Sequence, residues 1–317
     1  MRGEQGLEAQ KVANNDLSVR FEPAGVHFFS RRTGINILCD EVRVPNEIWS
    51  RAPSLLSIAL TNACDLSCHF CYAPKVPAAL AGETVCAWLS ELSENGCLGV
   101  GFGGGEPTLH PDFAEICEFG ARQTRLAVTM TTHAHRITSF LAQRIRKNVH
   151  FIRVSMDGVG ATYENIRGKS FASLKEKLTL VRSIAPFGIN CVVNSATVSE
   201  LESVVAVAEE SGASELLLLP QRRTPSSPGI EGSILTALCE WIRQYRGPLA
   251  LTISEESSGG LEAYSSSGSE VGLRSYAHIN ARGILMRSSY SSIGVPIERL
   301  GVLHALNKLD SVERRQR

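Results

Sequence analysis

Three cysteines lie within eight residues of one another, as Cys64, Cys68 and Cys71. Thiolates at this density are ligands for iron–sulfur clusters or for zinc. A structural zinc site has a complete tetrahedral ligand set, and only His69 could complete it locally, although adjacent residues 68 and 69 point at one ion with difficulty. Three thiolates on a four-iron cluster leave one iron open for a chelating substrate or cofactor. The spacing therefore favours a 4Fe-4S cluster over zinc.

A glycine-rich turn that carries one carboxylate follows the next predicted strand. Its sequence is Gly103-Gly104-Gly105-Glu106-Pro107. Glycines allow a backbone to approach a small polar ligand closely, and a carboxylate accepts hydrogen bonds from an ammonium group. A turn of this type is by itself more often only a tight connection. Its position at the strand end next to the cysteine motif predicts a binding site for a polar ligand.

The pattern Cys-x3-Cys-x2-Cys followed by Gly-Gly-Glu-Pro resembles the radical S-adenosylmethionine superfamily, over roughly residues 53–221. The resemblance implies that Cys64, Cys68 and Cys71 bind three irons of one 4Fe-4S cluster while S-adenosylmethionine chelates the remaining iron. It also implies reductive cleavage of S-adenosylmethionine to a 5′-deoxyadenosyl radical, which abstracts hydrogen from a substrate. The electron donor would be a flavodoxin or a ferredoxin.

The resemblance also implies which residues hold S-adenosylmethionine. Gly104, Gly105 and Glu106 would receive the methionyl amine, and Phe70 would lie beside the adenine. The full set of implied cofactor contacts is Phe70, Gly104, Gly105, Glu106, Pro107, Ser155, Asp157, Arg167 and Asn194.

The sequence from Val154 to Gly158, followed by Ile166-Arg167-Gly168, resembles the fourth-strand region of members that modify peptides or proteins. There Ser155 would contact the ribose and Arg167 the methionyl carboxylate, a charge-assisted pairing. A peptide or protein side chain is therefore the leading substrate class. A small-molecule cofactor or natural-product precursor is the alternative among enzymes, and a cluster-bearing scaffold or binding protein is the non-enzymatic alternative.

Peptide-modifying members often bind auxiliary clusters through a cysteine-rich C-terminal domain. This chain has nine cysteines and none after Cys239. We therefore expect one cluster per chain.

Short β-type runs alternate with stretches of helical period from Leu55 onward. The alternation is typical of a parallel sheet with right-handed crossovers, either doubly wound or closed into a barrel. The family's fold is an α/β partial (β/α)6 barrel of the TIM type, and every motif would then lie at the carboxyl end of a strand, where such barrels build their sites. Strands are predicted near residues 55–60, 97–102, 126–131, 150–156, 189–195 and 215–219.

Extensions flank the barrel core, which we place at residues 53–221. Residues 1–16 are polar and are predicted to form a disordered tail, and residues 17–52 a β extension with a small hairpin. Residues 222–317 form a C-terminal extension that resembles an auxiliary-cluster domain without its ligands. Its predicted elements are a helix at 235–245, a strand at 249–253, a mobile loop at 254–270, a hairpin at 277–290 and a closing helix at 297–309.

The charge balance excludes some partners. The 32 basic and 32 acidic side chains cancel, so no global field attracts a polyanion or an acidic membrane, and nucleic acid is not expected as a partner. No apolar run approaches the roughly 20 residues of a membrane span, and the first residues lack the regions of a signal peptide. We expect a cytoplasmic protein with reduced thiols.

Strand alternation predicts which side chains face the barrel interior, because successive residues point to opposite faces. Arg153, Asn190 and His133 take the polar parity and are the candidates for substrate contact. His133 could act as an acid or a base, although an exposed loop histidine without a chemical role is commoner. Cys191 takes the opposite parity and should pack against helices. The polar parity comprises Thr129, Thr131 and His133 in the third strand, Arg153, Ser155 and Asp157 in the fourth, and Asn190 and Asn194 in the fifth.

Overall fold

The structure is a computed structural model that describes residues 16–224, 227–253 and 270–315. The tail predicted at 1–16 lies outside the described residues except for Asp16. The loop predicted at 254–270 likewise lies outside them except for Glu270.

The N-terminal extension is a three-stranded antiparallel sheet instead of the predicted hairpin, because the stretch after Gly34 adds a third strand. Arg20 fastens this sheet to the core: it donates to the carbonyl oxygens of Ala52 and Gly96, both at 2.8 Å, and its Nε lies 2.6 Å from Glu270 Oε2. Ala52 and Gly96 precede core strands, so the sheet lies at the end of the core opposite the cysteine motif. Its strands are β1 (Leu17–Glu22), β2 (Gly25–Ser30) and β3 (Asn36–Cys39).

Six parallel strands follow one another in sequence order, which confirms the predicted α/β fold and its βα repeat. Each strand lies within three residues of its predicted position. The strands are β4 (Leu55–Thr61), β5 (Gly99–Gly104), β6 (Ala127–Thr132), β7 (Phe151–Ser155), β8 (Phe187–Val193) and β9 (Glu215–Pro220). The helices between and after them are α1 (Gly82–Glu94), α2 (Phe113–Gln123), α3 (Ser139–Ile145), α4 (Gly160–Arg167), α5 (Phe171–Arg182) and α6 (Leu201–Ser211).

The C-terminal extension contains the predicted hairpin, in which His278 pairs with Met286 and Ile279 with Leu285, and it continues the same sheet. One strand pairs in parallel with β9, and another pairs in parallel with β4 at the other edge. The second pairing buries Ala277 and Ile279 with the apolar face of β4, because apolar and polar residues alternate there. The elements of the extension are α7 (Gly232–Gln244), β10 (Ala250–Ile253), β11 (Tyr276–Ile279), β12 (Ile284–Met286), β13 (Gly294–Pro296) and α8 (Gly301–Arg314). The strand order of the whole sheet is β10-β9-β8-β7-β6-β5-β4-β11-β12-β13.

The predicted alternation holds in β7 and β8. Ile152, Val154 and Cys191 are fully buried in the main apolar core, whereas Arg153 and Ser155 are half-buried on the opposite face. Cys191 is thus a packing residue, as its parity predicts. None of the helices in the described parts of the chain is both long and apolar enough to cross a membrane.

His150 makes the stability of the core depend on pH. Its Nδ1 accepts from the backbone nitrogen of Val128 at 2.9 Å, and burial lowers the pKa of His150 to about 4. An unfolded histidine has a pKa of about 6.5. Between these values the unfolded chain binds more protons, so stability that is present above pH 6.5 is lost as the pH falls toward 4.

We therefore expect His150→Asn to lose less unfolding free energy than the wild type between pH 7 and pH 4.5. The difference should be on the order of 1 kcal/mol, allowing for the partial exposure of the ring. Urea denaturation at both pH values measures it. His304→Asn changes an exposed histidine and is the control. An equal loss in His150→Asn and the wild type would contradict the assignment.

Candidate functional site

The cysteine loop, residues 64–71, leaves the carboxyl end of β4. Cys68 is buried, and Cys64 and Cys71 are half-buried. The apolar side chains of the loop pack in a small cluster that is separate from the main core. This cluster includes Leu66, Phe70 and Ile166. Burial raises the pKa of the Cys64 and Cys68 thiols.

The glycine turn fixes the start of this loop. Backbone nitrogens of Gly105 and Glu106 donate to the carbonyl oxygens of Thr61, at 2.7 Å, and of Ala63, at 2.8 Å. A Cβ on Gly105 would overlap the Ala63 carbonyl, and one on Gly104 that of Thr61. Gly104 and Gly105 are therefore required by contact between the two motifs. Sequence reasoning had assigned their lack of a side chain to ligand approach.

Gly103 is the glycine with open space. An added Cβ there meets no atom within 4 Å among the described residues, whereas a Cβ on Gly104 or Gly105 would be crowded. A cofactor could therefore approach the turn at Gly103, a position that the sequence motif did not single out.

Glu106 is buried, with 1% of its surface exposed. Its carboxylate accepts from the hydroxyl of Thr108 at 2.6 Å, from that of Thr132 at 2.8 Å and from the backbone nitrogen of His133 at 3.0 Å. Pro107 begins the short 3-10 helix that follows Glu106 and carries Thr108. These bonds hold the carboxylate rigidly at the carboxyl ends of β5 and β6.

His133 connects the cysteine loop to the glycine turn. Its Nδ1 accepts from the backbone nitrogen of His135 at 3.2 Å, which leaves the ring proton on Nε2. Nε2 lies 2.9 Å from Asp65 Oδ1 and 3.3 Å from Glu106 Oε2. His133 lies just beyond β6, which ends at Thr132, and its ring is buried. Its contact with a substrate stays a prediction.

Arg167 and Asp157 form a buried ion pair behind the cysteine loop. Asp157 is fully buried and accepts from Arg167 Nε at 2.6 Å and from the Val192 backbone nitrogen at 2.7 Å. Arg167 Nη1 lies 3.6 Å from Cys68 Sγ, and its guanidinium lies over the Phe70 ring at 5.8 Å. Burial acts to lower the pKa of Arg167, but Asp157 and the Cys68 thiol raise it overall. Arg167 is thus the cationic partner of Cys68.

Asp157 positions Arg167. It lies just beyond the end of β7, and Arg167 and the Val192 backbone nitrogen take both of its carboxylate oxygens. Its direct contact with the cofactor stays a prediction.

The two polar side chains predicted deeper in the barrel are paired with protein groups. Arg153 Nη2 lies 2.6 Å from Glu215 Oε1, and its Nη1 lies 3.4 Å from Asn190 Oδ1. Asn190 is the register partner of Ser155 at the end of β7. Ser155 and Asn190 are therefore nearer to the cysteine loop than Arg153, whose charge is already balanced.

Asn194 supports the end of β9 instead of standing open toward a cofactor. Its Nδ2 donates to Gln221 Oε1 at 2.9 Å, and its Oδ1 accepts from the Ala196 backbone nitrogen at 2.9 Å. Gln221 in turn donates to the carbonyl oxygen of Pro228 at 2.6 Å. Asn194 thus positions the chain that follows β9, and its contact with a cofactor stays a prediction.

Sequence reasoning missed a polar group that β11 brings to the barrel interior. Ser57 Oγ lies 2.6 Å from the Tyr276 hydroxyl and 2.7 Å from His278 Nδ1. Burial lowers the pKa of His278 to about 4, so the ring is neutral near pH 7. The alternation Tyr-Ala-His-Ile was the available signal, but it does not say which strand its partner is.

The donor set fits an iron–sulfur cluster better than a single metal ion. Within the described ranges, one group of three metal-ligating side chains (His, Cys, Asp or Glu) has all its ligand atoms within 4.8 Å of one another. It consists of Cys64, Asp65 and His133. Asp65 and His133 are hydrogen-bonded to each other, and the three thiols do not converge in this way. Zinc, with Zn–S bonds of about 2.3 Å, would hold its thiolates closer together. Three separated thiols suit three different irons.

Curated relatives match the core of the chain. An AdoMet-dependent heme synthase from Methanosarcina barkeri is 28% identical over 204 residues, which are 61% of this chain and 58% of that protein. The mycofactocin maturase MftC of Mycobacterium tuberculosis is 29% identical over 188 residues, 57% of this chain and 47% of that protein. The chain thus spans about half the length of the curated relatives that it matches.

Solved structures share the fold. Streptococcus suis SuiB bound to S-adenosylmethionine superposes with a TM-score of 0.70 over 89% of this chain and 84% of that one, at 15% identity. This structural similarity agrees with the partial barrel predicted from the sequence. A family model for the Radical SAM superfamily matches residues 58–204, which contain the cysteine loop, the glycine turn and Arg167. Over these residues the chain is therefore similar to the radical SAM superfamily.

Proposed function

We propose that this protein is a radical S-adenosylmethionine enzyme that binds one 4Fe-4S cluster through Cys64, Cys68 and Cys71. The observation that carries the proposal is the placement of the cysteine loop. Arg167 Nη1 lies 3.6 Å from Cys68 Sγ, and the glycine turn donates to the carbonyl oxygens of Thr61 and Ala63, where the loop begins. When bound, the cluster and S-adenosylmethionine together supply a 5′-deoxyadenosyl radical that takes hydrogen from a substrate.

The chain's own residues bind and orient S-adenosylmethionine and exclude water. Glu106 is held by its hydrogen bonds at the point where an ammonium group could be received, and Gly103 leaves space beside it. Phe70 offers an apolar ring next to Cys71, and Ser155 a hydroxyl at the end of β7. Arg167, held by Asp157, presents its positive charge to the cysteine loop and would attract the methionyl carboxylate.

We infer a peptide or protein side chain as the substrate. Two relatives carry names that support this: the maturase MftC, and a PqqA peptide cyclase of Gluconobacter oxydans at 31% identity over 170 residues. SuiB has also been solved with its precursor peptide SuiA. We further propose a flavodoxin or a ferredoxin as electron donor and a cytoplasmic location.

A tetrapyrrole is the second candidate substrate. The heme synthase match favours it, and an Fe-coproporphyrin III synthase of Methanosarcina barkeri is also similar, at 24% identity over 159 residues. The match covers 58% of the heme synthase and 40% of the Fe-coproporphyrin III synthase.

Anaerobic reconstitution tests the proposed activity. We expect about four irons per chain and release of 5′-deoxyadenosine when dithionite and S-adenosylmethionine are added. Iron analysis and chromatography of the products measure the two quantities. Protein that binds zinc but no iron, or iron-loaded protein that releases no 5′-deoxyadenosine, would overturn the proposal.

A further inference from the structure

A cleft of about 580 Å³ lies between the carboxyl end of β9 and the segments that flank β11 and β12. One wall is formed by Leu219, Pro220 and Arg222. The opposite wall includes Tyr276 and the segment 287–290. The cleft therefore lies between the strand that ends the predicted barrel core and the extension that continues the sheet from β4.

Aromatic rings connect this cleft to the cysteine loop. The Arg222 guanidinium lies 4.8 Å from the centre of the Tyr290 ring. The Tyr290 ring lies 5.1 Å from that of Tyr72, which directly follows Cys71. Two aromatic rings, Tyr290 and Tyr72, would consequently connect a ligand in the cleft to the cysteine loop.

The cleft is cationic. Arg222 and Arg287 line it, and the described lining residues include no aspartate or glutamate. Arg287 is held from behind by Glu313, with its Nε 3.0 Å from Oε1. The residue before Arg222 is fixed by the Asn194–Gln221 hydrogen bond. The backbone at Arg222 and the side chain of Arg287 are therefore held in place, which reduces the conformational entropy lost when an anion binds.

We propose that this cleft binds a carboxylate group of the substrate, with Arg222 as its principal cation. The proposal rests on the proposed function, because it places that group beside the cysteine loop. A guanidinium matches a carboxylate with two parallel hydrogen bonds. The rings of Tyr276 and Tyr290 would pack the apolar part next to it, as aromatic walls do in small-ligand pockets. The carboxylate comes from an acidic peptide or from a tetrapyrrole propionate.

Binding measurements on the reconstituted full chain test this assignment. The probes are a dansyl-labelled peptide with two glutamates, its glutamine counterpart, coproporphyrin III and the tetramethyl ester of that porphyrin. We expect the wild type to bind one acidic probe more tightly than its neutral counterpart, and which acid it prefers identifies the source of the carboxylate. Arg222→Gln should weaken binding of that acid by about tenfold and leave the neutral counterpart unaffected.

Two variants control the measurement. Arg222→Lys keeps the positive charge and should retain part of the affinity, which separates charge from packing on Tyr290. Arg223→Gln removes an exposed charge one residue away, outside the cleft lining, and should bind like the wild type. Equal affinity of the wild type for acidic and neutral probes, or an Arg222→Gln variant that binds the acid as tightly as the wild type, would overturn the proposal.

The binding readout does not need turnover. If the wild type releases 5′-deoxyadenosine but Arg222→Gln leaves the affinity unchanged, only the cleft assignment fails. If the acid preference depends on Arg222 but no 5′-deoxyadenosine is released, the proposed function fails instead.

Discussion

Replacing Cys68 with alanine is expected to abolish cluster binding and, with it, the release of 5′-deoxyadenosine. Cys68 is the most buried of the three proposed thiol ligands, so its loss would leave one iron without a protein ligand in an apolar cluster of side chains. Protein ligands of this type supply much of the free energy that retains a metal group. We expect iron to fall from about four per chain to well below one after anaerobic reconstitution.

Cys191→Ala is the matched control for this experiment. Cys191 is also a buried cysteine, but it belongs to the main apolar core on the helix-facing side of β8. Its loss should cost packing only and leave iron content and 5′-deoxyadenosine release near the wild-type values. A Cys68→Ala protein that retains a full iron complement would remove the cysteine loop from the cluster site. A Cys191→Ala protein without cleavage activity would show that the strand parity argument is wrong.

Arg167→Ala should cause the largest loss of stability near the site. The change leaves Asp157 fully buried with no opposing charge, and an uncompensated buried charge costs roughly 3–5 kcal/mol. The double variant Arg167→Ala, Asp157→Asn removes that charge while keeping an oxygen for the Val192 backbone nitrogen. It should therefore be more stable than Arg167→Ala alone. Chemical denaturation of all three proteins measures the differences.

Arg136→Ala is the comparison for this pair. Arg136 Nε lies 3.2 Å from Asp65, a residue of the cysteine loop. The Arg136 side chain is half exposed, so this ion pair should contribute less than about 1 kcal/mol. Similar losses in Arg167→Ala and Arg136→Ala would contradict the assignment of Arg167 to a buried pair. If Arg167 also contacts the methionyl carboxylate, the double variant, which restores folding but not the guanidinium, should bind S-adenosylmethionine more weakly by roughly 1.5–3 kcal/mol.

Local sequence patterns determined the parts of this protein that depend on neighbours in the chain. The spacing of Cys64, Cys68 and Cys71 places three thiols in one loop whatever the rest of the chain does. Residues that alternate with a period of two specify a strand and its two faces, which is why the buried positions of Ile152, Val154 and Cys191 could be predicted. The repeated change between this period and the helical one predicted parallel strands from β4 to β9 but left open whether they form a doubly wound sheet or a barrel.

Only the tertiary structure decided which distant groups meet. The pairing of β11 with β4 joins Tyr276 to Leu55, and no local pattern favours that partner strand over another edge. Strand alternation likewise does not determine the contacts of His133 and Asp157, because it applies within a strand and both residues lie just beyond one. A buried polar group is satisfied by whichever donor or acceptor the folded chain brings within reach. The bonds of His133 to Asp65, of Asp157 to Arg167 and of Asn194 to Gln221 are therefore properties of the packed barrel, and so is the cleft between β9 and β11.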